Sequence, residues 1–213
     1  MKNLIFYSFF LISISTVYAQ NFGVRIGVTT ATFTGNYDAY DFDFKESFAP
    51  GYKAGLVGNF ELSNIITLKP EISYISYAIK QQIPYESILY DLKQSHNVVS
   101  LDLNFDVKLP KSWSVIFGMG LHYLVFQNNK LYNNNSNLAF EDSINDSIDQ
   151  KSDPFANISI CYTIGDNILL DLEYHHLLDN WGVADLTNEN QLVNSDNRSV
   201  KLHMINLSAA ILF

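Results

Sequence analysis

The stretch Asn97-Val-Val-Ser-Leu-Asp-Leu-Asn-Phe-Asp-Val-Lys-Leu109 decides the reading of this chain. Val99, Leu101, Leu103, Phe105, Val107 and Leu109 take one side of a period of two, and Ser100, Asp102, Asn104, Asp106 and Lys108 take the other. Successive side chains of an extended strand point to opposite faces. The segment therefore predicts a β-strand with one face of continuous hydrocarbon and one face that carries charge.

Working outward, the pattern returns in seven further segments, less cleanly. The predicted strands are 22–34, 51–62, 66–79, 97–109, 113–127, 155–164, 167–178 and 199–213. Near Ile75 and Ala78 the alternation of the third strand fades, and a bulge is expected there. The connections at 63–65, 110–112 and 165–166 are short, with Ser63, Asn64, Pro110, Gly165 and Asp166 supplying turn chemistry. Those at 35–50, 80–96, 128–154 and 179–198 are long and polar. Long and short connections alternate strictly, as in a bacterial outer-membrane barrel with short periplasmic turns and long extracellular loops. The expected fold is all-β: a closed, antiparallel, up-and-down transmembrane β-barrel of eight strands.

Composition agrees. Of 213 residues, 47% are apolar and only 16% charged, against roughly 25% charged in an average soluble domain. Lys2, the apolar run Leu4 to Ile14, and the small residues Val17 and Ala19 read as a secretory signal cleaved before Gln20. The domain expectation is thus a signal peptide over 1–19 and a barrel over 20–213. Loss of Lys2 takes the formal charge from −9 to −10, which argues against nucleic acid as a partner. Cys161 is the single cysteine, so no intrachain disulfide forms.

Alternation alone does not say which face meets the core. A soluble lipocalin-like barrel would turn its apolar face inward. Three features favour the inverted, membrane-spanning arrangement, the loop asymmetry being one. Gly23, Gly27, Gly55, Gly118 and Gly120 gather on the polar face, which suits a narrow lumen that side chains nearly fill. Aromatic residues gather near strand ends on the apolar face, as in an interfacial girdle: Tyr52, Phe60, Tyr74, Trp113, Tyr123, Tyr162, Tyr174 and Phe213, with Phe22 and Phe105.

FGVRIGV at 22–28, GYKAGL at 51–56 and LKPEISY at 68–74 resemble the first three strands of the small outer-membrane β-barrel proteins of Bacteroidetes, often labelled PorT-like. The terminal Phe213 resembles the C-terminal aromatic that barrel-assembly machinery recognises. The resemblance covers nearly all of the mature chain and implies residence in the bacterial outer membrane, among outer-membrane lipid. Its motifs are strand patterns, specific for architecture and poor for activity.

The inward charges are Arg25, Lys53, Glu61, Lys69, Glu71, Asp102, Asp106, Lys108, Asp171 and Glu173. In an eight-stranded barrel they are expected to form a structural ion-pair network that fills the lumen, since wide aqueous channels belong to barrels of 16–18 strands. The competing reading is a gated or selective pore. His175, His176 and Glu173 suggest a lipid-modifying hydrolase or acyltransferase, but adjacent strand residues point to opposite faces, and no motif places a serine nearby. No catalytic residue, cofactor or metal is expected. The acidic loop clusters Asp38, Asp41, Asp43, Glu46 and Glu141, Asp142, Asp146, Asp149 lack the glycine and terminal glutamate of a calcium loop. Leu177 and Leu178, with Trp181, are expected to give the fourth loop an apolar base at the membrane surface. The expected role is structural or binding and non-enzymatic, with an unknown ligand or protein meeting the extracellular loops.

Overall fold

The computed structural model describes residues 20–35, 47–85, 88–133, 138–144, 152–178, 183–186, 192–195 and 200–213. The strands are β1 (Gln20–Gly35), β2 (Ser47–Glu61), β3 (Ile66–Tyr85), β4 (Ile88–Lys108), β5 (Trp113–Asn133), β6 (Leu138–Ile144), β7 (Ser152–Ile164), β8 (Ile168–Leu177), β9 (Val183–Leu186), β10 (Leu192–Ser195) and β11 (Val200–Leu212). Eight of them form a ring in the order β4-β3-β2-β1-β11-β8-β7-β5, and pairing of β5 with β4 closes it. All the pairings are antiparallel. Closure leaves the spanning backbone no unpaired edge, which hydrocarbon demands because it offers no alternative hydrogen-bond partner.

The predicted alternation sets the faces. Along β8 the residues from Ile168 to Leu177 run exposed and buried in turn. Val24, Ile26 and Val28 of β1, Leu101 and Leu103 of β4, Phe117, Met119 and Leu121 of β5, and Leu170 and Leu172 of β8 are exposed. Arg25, Lys53, Glu71, Asp102 and Glu173 are buried. The barrel is thus inside out, with hydrocarbon outward and charge within.

The turns follow local chemistry. Between β2 and β3 the Ser63 hydroxyl accepts from the backbone N–H of Ile65 and Ile66. Lys111 and Ser112, at φ 65° and 64°, make two successive left-handed residues between β4 and β5. That twist matches a tight hairpin. Gly165, at φ 61°, supplies the same conformation between β7 and β8 without the steric cost.

Two expectations change at the outer end. The connection expected at 80–96 is strand: β3 and β4 pair continuously from Ile66↔Val107 to Tyr85↔Ile88. Likewise β5 runs to Asn133, and β6 pairs with its outer part. In this outer part polar residues stand at both parities, among them Gln81, Gln82, Lys93 and Gln94, so the apolar/polar alternation that marks the spanning segments is lost while the strand continues. The bulge expected in the third strand lies one strand over. The register of β2 against β3 shifts between Ala49 and Tyr52, placing an extra residue at Pro50–Gly51. A second shift, between Asn97 and Val98 of β4, leaves Val125 of β5 unpaired there. The expectations for Asp38, Asp41, Asp43, Glu46, Asp146, Asp149 and Trp181 fall outside the described residues.

Candidate functional site

The lumen is built in layers. At the end holding the short turns is a cavity of about 480 Å³, lined by residues that include Asn21, Asn59, Lys69, Asp106 and Trp113. Above it Val57, Ile116, Cys161, Leu169, Ala210 and Leu212 form an apolar layer. The main charged network comes next. Ala31, Ile75, Tyr77, Ile79, Val98, Phe155, Leu177, Leu202 and Met204 then form an apolar cap toward the outer end.

Two cations organise the charged network. Lys53 Nζ lies 2.8 Å from Glu173 Oε2, 3.0 Å from Glu71 Oε1 and 3.9 Å from Asp102 Oδ2. Arg25 reaches Asp171 Oδ2 with Nη1 at 2.9 Å and Glu71 Oε2 with Nε at 3.2 Å. Its Nη1 also donates to Ser208 Oγ at 3.3 Å. Asn157 Nδ2 donates to Asn104 Oδ1 at 2.9 Å and Glu173 Oε1 at 3.3 Å. Asn206 Nδ2 donates to Glu173 Oε2 at 3.2 Å, Ser100 Oγ donates to Asp102, and Lys69 pairs with Asp106. Buried charge is tolerated when paired and hydrogen-bonded in this way.

Strand register gives the long charged side chains their room. Arg25 sits across from Gly55 and Lys53 across from Gly27. Asp102 faces Gly120 and Asn104 faces Gly118. A Cβ at Gly118 would stand 2.1 Å from Asn104 Oδ1, and one at Gly120 would stand 2.6 Å from the Phe155 ring. The lumenal glycines are therefore steric requirements of the residues opposite them.

Eight of the ten charges expected in the lumen are buried: Arg25, Lys53, Lys69, Glu71, Asp102, Asp106, Asp171 and Glu173. Glu61 and Lys108 are not. They pair at 2.7 Å at the rim, with side chains 49% and 44% exposed, because the turn between β2 and β3 opens beside them. The expected girdle aromatics all face outward. Tyr52, Tyr74, Tyr123 and Tyr174 lie toward the outer end, and Phe60, Trp113, Tyr162 and Phe213 toward the turn end. Tyr52 packs on Tyr74 at 6.1 Å and Trp113 on Tyr162 at 4.8 Å. From Trp113 to Tyr123 along β5 is about 33 Å at 3.3 Å per residue. At a strand tilt near 40° that is about 25 Å of height, the hydrocarbon band of such barrels.

The two adjacent histidines part company as strand geometry requires. His175 points inward, with Nε2 3.0 Å from Glu173 Oε1 and its ring stacked on Phe155 at 4.5 Å. His176 points outward, where its Nδ1 lies 3.3 Å from His203 Nδ1. Asp102, Glu173 and His175 offer ligand atoms within 4.8 Å of one another. Lys53 already sits on two of those residues, so a dication would lie beside an ammonium. Leu177 is buried in the cap rather than forming a loop base at the surface, while Leu178 is exposed.

The cap is what sequence reasoning missed. Its signal was present: Ile75, Tyr77 and Ile79 continue the inward parity of Lys69, Glu71 and Ser73. Only their chemistry inverts, and that looked like a loss of alternation.

A closed eight-stranded barrel, apolar outside, charged within and belted by aromatics, defines a transmembrane β-barrel protein. Residues 18–181 match the family described as outer membrane protein beta-barrel domain, and the chain belongs to that family and to the bacterial outer membrane. A comparison with curated proteins finds no match. Among solved structures the chain is similar to Ail, the attachment invasion locus protein of Yersinia pestis, at 13% identity and a TM-score of 0.49, over 91% of this chain and 98% of that one. It is similar to OprG of Pseudomonas aeruginosa at 10% identity and 0.46, over 92% and 96%. It is similar to Neisserial surface protein A at 10% identity and 0.44, over 92% and 99%. Sequences this far apart carry no role from one protein to another.

Proposed function

We propose that this is a non-enzymatic outer-membrane protein that binds a ligand or partner outside the cell through its outer hairpins and loops. One observation carries the reading: above the outer tyrosines the barrel wall continues as a sheet of β3, β4, β5 and β6. β3 runs on from Tyr74 to Tyr85 and β5 from Tyr123 to Asn133, each about 35 Å of strand. A paired sheet standing over a packed lumen is a stiff platform, and loops held on rigid scaffolds are where binding residues concentrate. The lumen itself supports a structural role, since its charges are spent on one another.

Replacing residues 134–150 by a short Gly/Ser linker removes β6 and leaves β5 whole. The shortened protein is expected to assemble with unchanged heat-dependent electrophoretic mobility and to lose partners recovered by pull-down from native outer membranes. Unchanged recovery would move the binding surface elsewhere.

The strand motifs at 22–28, 51–56 and 68–74 support placing the chain, within its family, among the PorT-like barrels of Bacteroidetes. A phylogeny that groups it with barrels of other phyla would displace it. Residues 1–19 have the composition of a cleaved signal peptide. N-terminal sequencing of the membrane-inserted protein should begin at Gln20.

A further inference from the structure

We infer that the outward face of the barrel carries a binding site for a divalent transition-metal ion, made by His176 and His203 with Tyr174 beside them. His176 on β8 and His203 on β11 are direct cross-strand partners. Both follow the outward parity of Leu172 and Tyr174 on β8 and of Ile205 and Leu207 on β11, and both are half-buried. The pair lies one same-face step beyond Tyr174 of the outer belt, where hydrocarbon gives way to water. Solvent ions reach this position, unlike the lumen.

Three donor atoms converge there. The Nδ1 atoms of His176 and His203 are 3.3 Å apart, and the Tyr174 hydroxyl meets the same Nδ1 of His203. The rings are set for it: His203 stacks on Tyr174 at 5.8 Å and 19°, and on His176 at 4.9 Å and 38°. Two nitrogens bound to one tetrahedral ion at about 2.0–2.1 Å stand about 3.3 Å apart, so the two imidazoles already hold the separation that a shared ion needs. Opposed positions on paired strands fix their Cβ atoms close together, and the backbone pays the cost of bringing them together. With its proton on Nε2, each ring presents the Nδ1 lone pair, and binding requires no proton loss from imidazole. The phenol gives up its hydrogen bond to His203 and becomes an oxygen donor beside the ion; water completes the shell.

Imidazole suits Zn²⁺, Ni²⁺ and Cu²⁺, with Cu²⁺ held most tightly by a given nitrogen site. The lumenal group of Asp102, Glu173 and His175 is the poorer candidate, since Lys53 supplies the positive charge there. Outside, Lys201 stands at the same parity of β11 as His203, and its Nζ turns to the carbonyl oxygen of Leu178.

The test uses untagged full-length mature protein folded in phosphatidylcholine vesicles and titrated with Cu²⁺, read by electron paramagnetic resonance. One ion per chain is expected, with nitrogen couplings from two imidazoles. His176→Gln and His203→Gln, each shown folded by heat-dependent gel mobility, should weaken binding at least about tenfold, since disturbing even an outer partner of a ligand costs that much. Lys201→Gln should retain the site. A wild-type spectrum without two nitrogen couplings would overturn the inference whatever the variants do, as would equal binding by the double variant.

Discussion

The middle of the lumen and its outer cap are built from the same strands at the same parity, yet they are held by opposite chemistry. In the middle, Lys53 and Arg25 tie together Glu71, Asp102, Asp171 and Glu173. Two steps outward along β3, Ile75, Tyr77 and Ile79 replace charge with hydrocarbon and pack against Phe155, Leu202 and Met204. A barrel wall fixes where side chains point and leaves open what they are. In the middle each member depends on its partners, because a charge left alone in a dry lumen is costly. In the cap the members are held by packing, with Tyr77 stacked on His96 and Phe155 on His175.

The largest effect should come from breaking the middle. Lys53→Met leaves carboxylates of Glu71, Asp102 and Glu173 without their shared cation, and should destabilise the folded barrel by about 3–5 kcal/mol. Urea titrations of folding into lipid vesicles measure it. Adding Glu173→Gln should restore part of the loss; if it deepens the loss instead, the network is not organised around Lys53. In the cap, Leu202→Ala should cost about 3 kcal/mol, in the range for a buried leucine that leaves a cavity. Unlike Lys53→Met, it should gain nothing from a second change in the charged network, because the two layers share no ion pair. Coupling between the layers would dissolve the distinction drawn here.

The lipid face comes next. Leu103→Arg, near the height of the bilayer midplane, should cost about 2–4 kcal/mol, whereas Asn104→Arg, one residue on, should act by crowding against Gly118 and Asn157. A neutral Leu103→Arg would mean that this face does not meet hydrocarbon. The smallest effect belongs to the rim. Glu61 and Lys108 pair at 2.7 Å, as short as the lumenal contacts, but are nearly half exposed. Lys108→Met should change stability by no more than about 1 kcal/mol. A loss as large as that of Lys53→Met would show the rim pair to be dry.

The same contrast explains what the sequence makes legible. From Val99 to Leu109, lipid lies on one side and paired charge on the other, so alternation, faces and strand count read directly. At Ile75, Tyr77 and Ile79 the inward face is apolar while the outward parity mixes Ser76 and Ala78 with Lys80, and beyond Lys80 polar residues stand at both parities. Either way the contrast between faces is lost although the strand is not, and so 80–96 read as a loop. Which charge meets which was not legible either, since Lys53 and Glu173 are 120 residues apart and meet only because the ring closes. The exposure of the rim pair, which lines the turn-end cavity, was not legible for a related reason: parity gives direction, and depth depends on where each turn ends. The cross-strand pairing of His176 with His203 needed the register of β8 against β11, which no local pattern encodes.

The central claim is that this lumen is packed shut, its main charged network paired between two apolar layers. Planar-bilayer recording of the purified, folded protein tests that most directly. The account predicts no steady single-channel conductance, with or without residues 134–150. Reproducible conductance steps whose size changes in Asp102→Asn or Lys53→Met would contradict it and make the charged layer the lining of a pore.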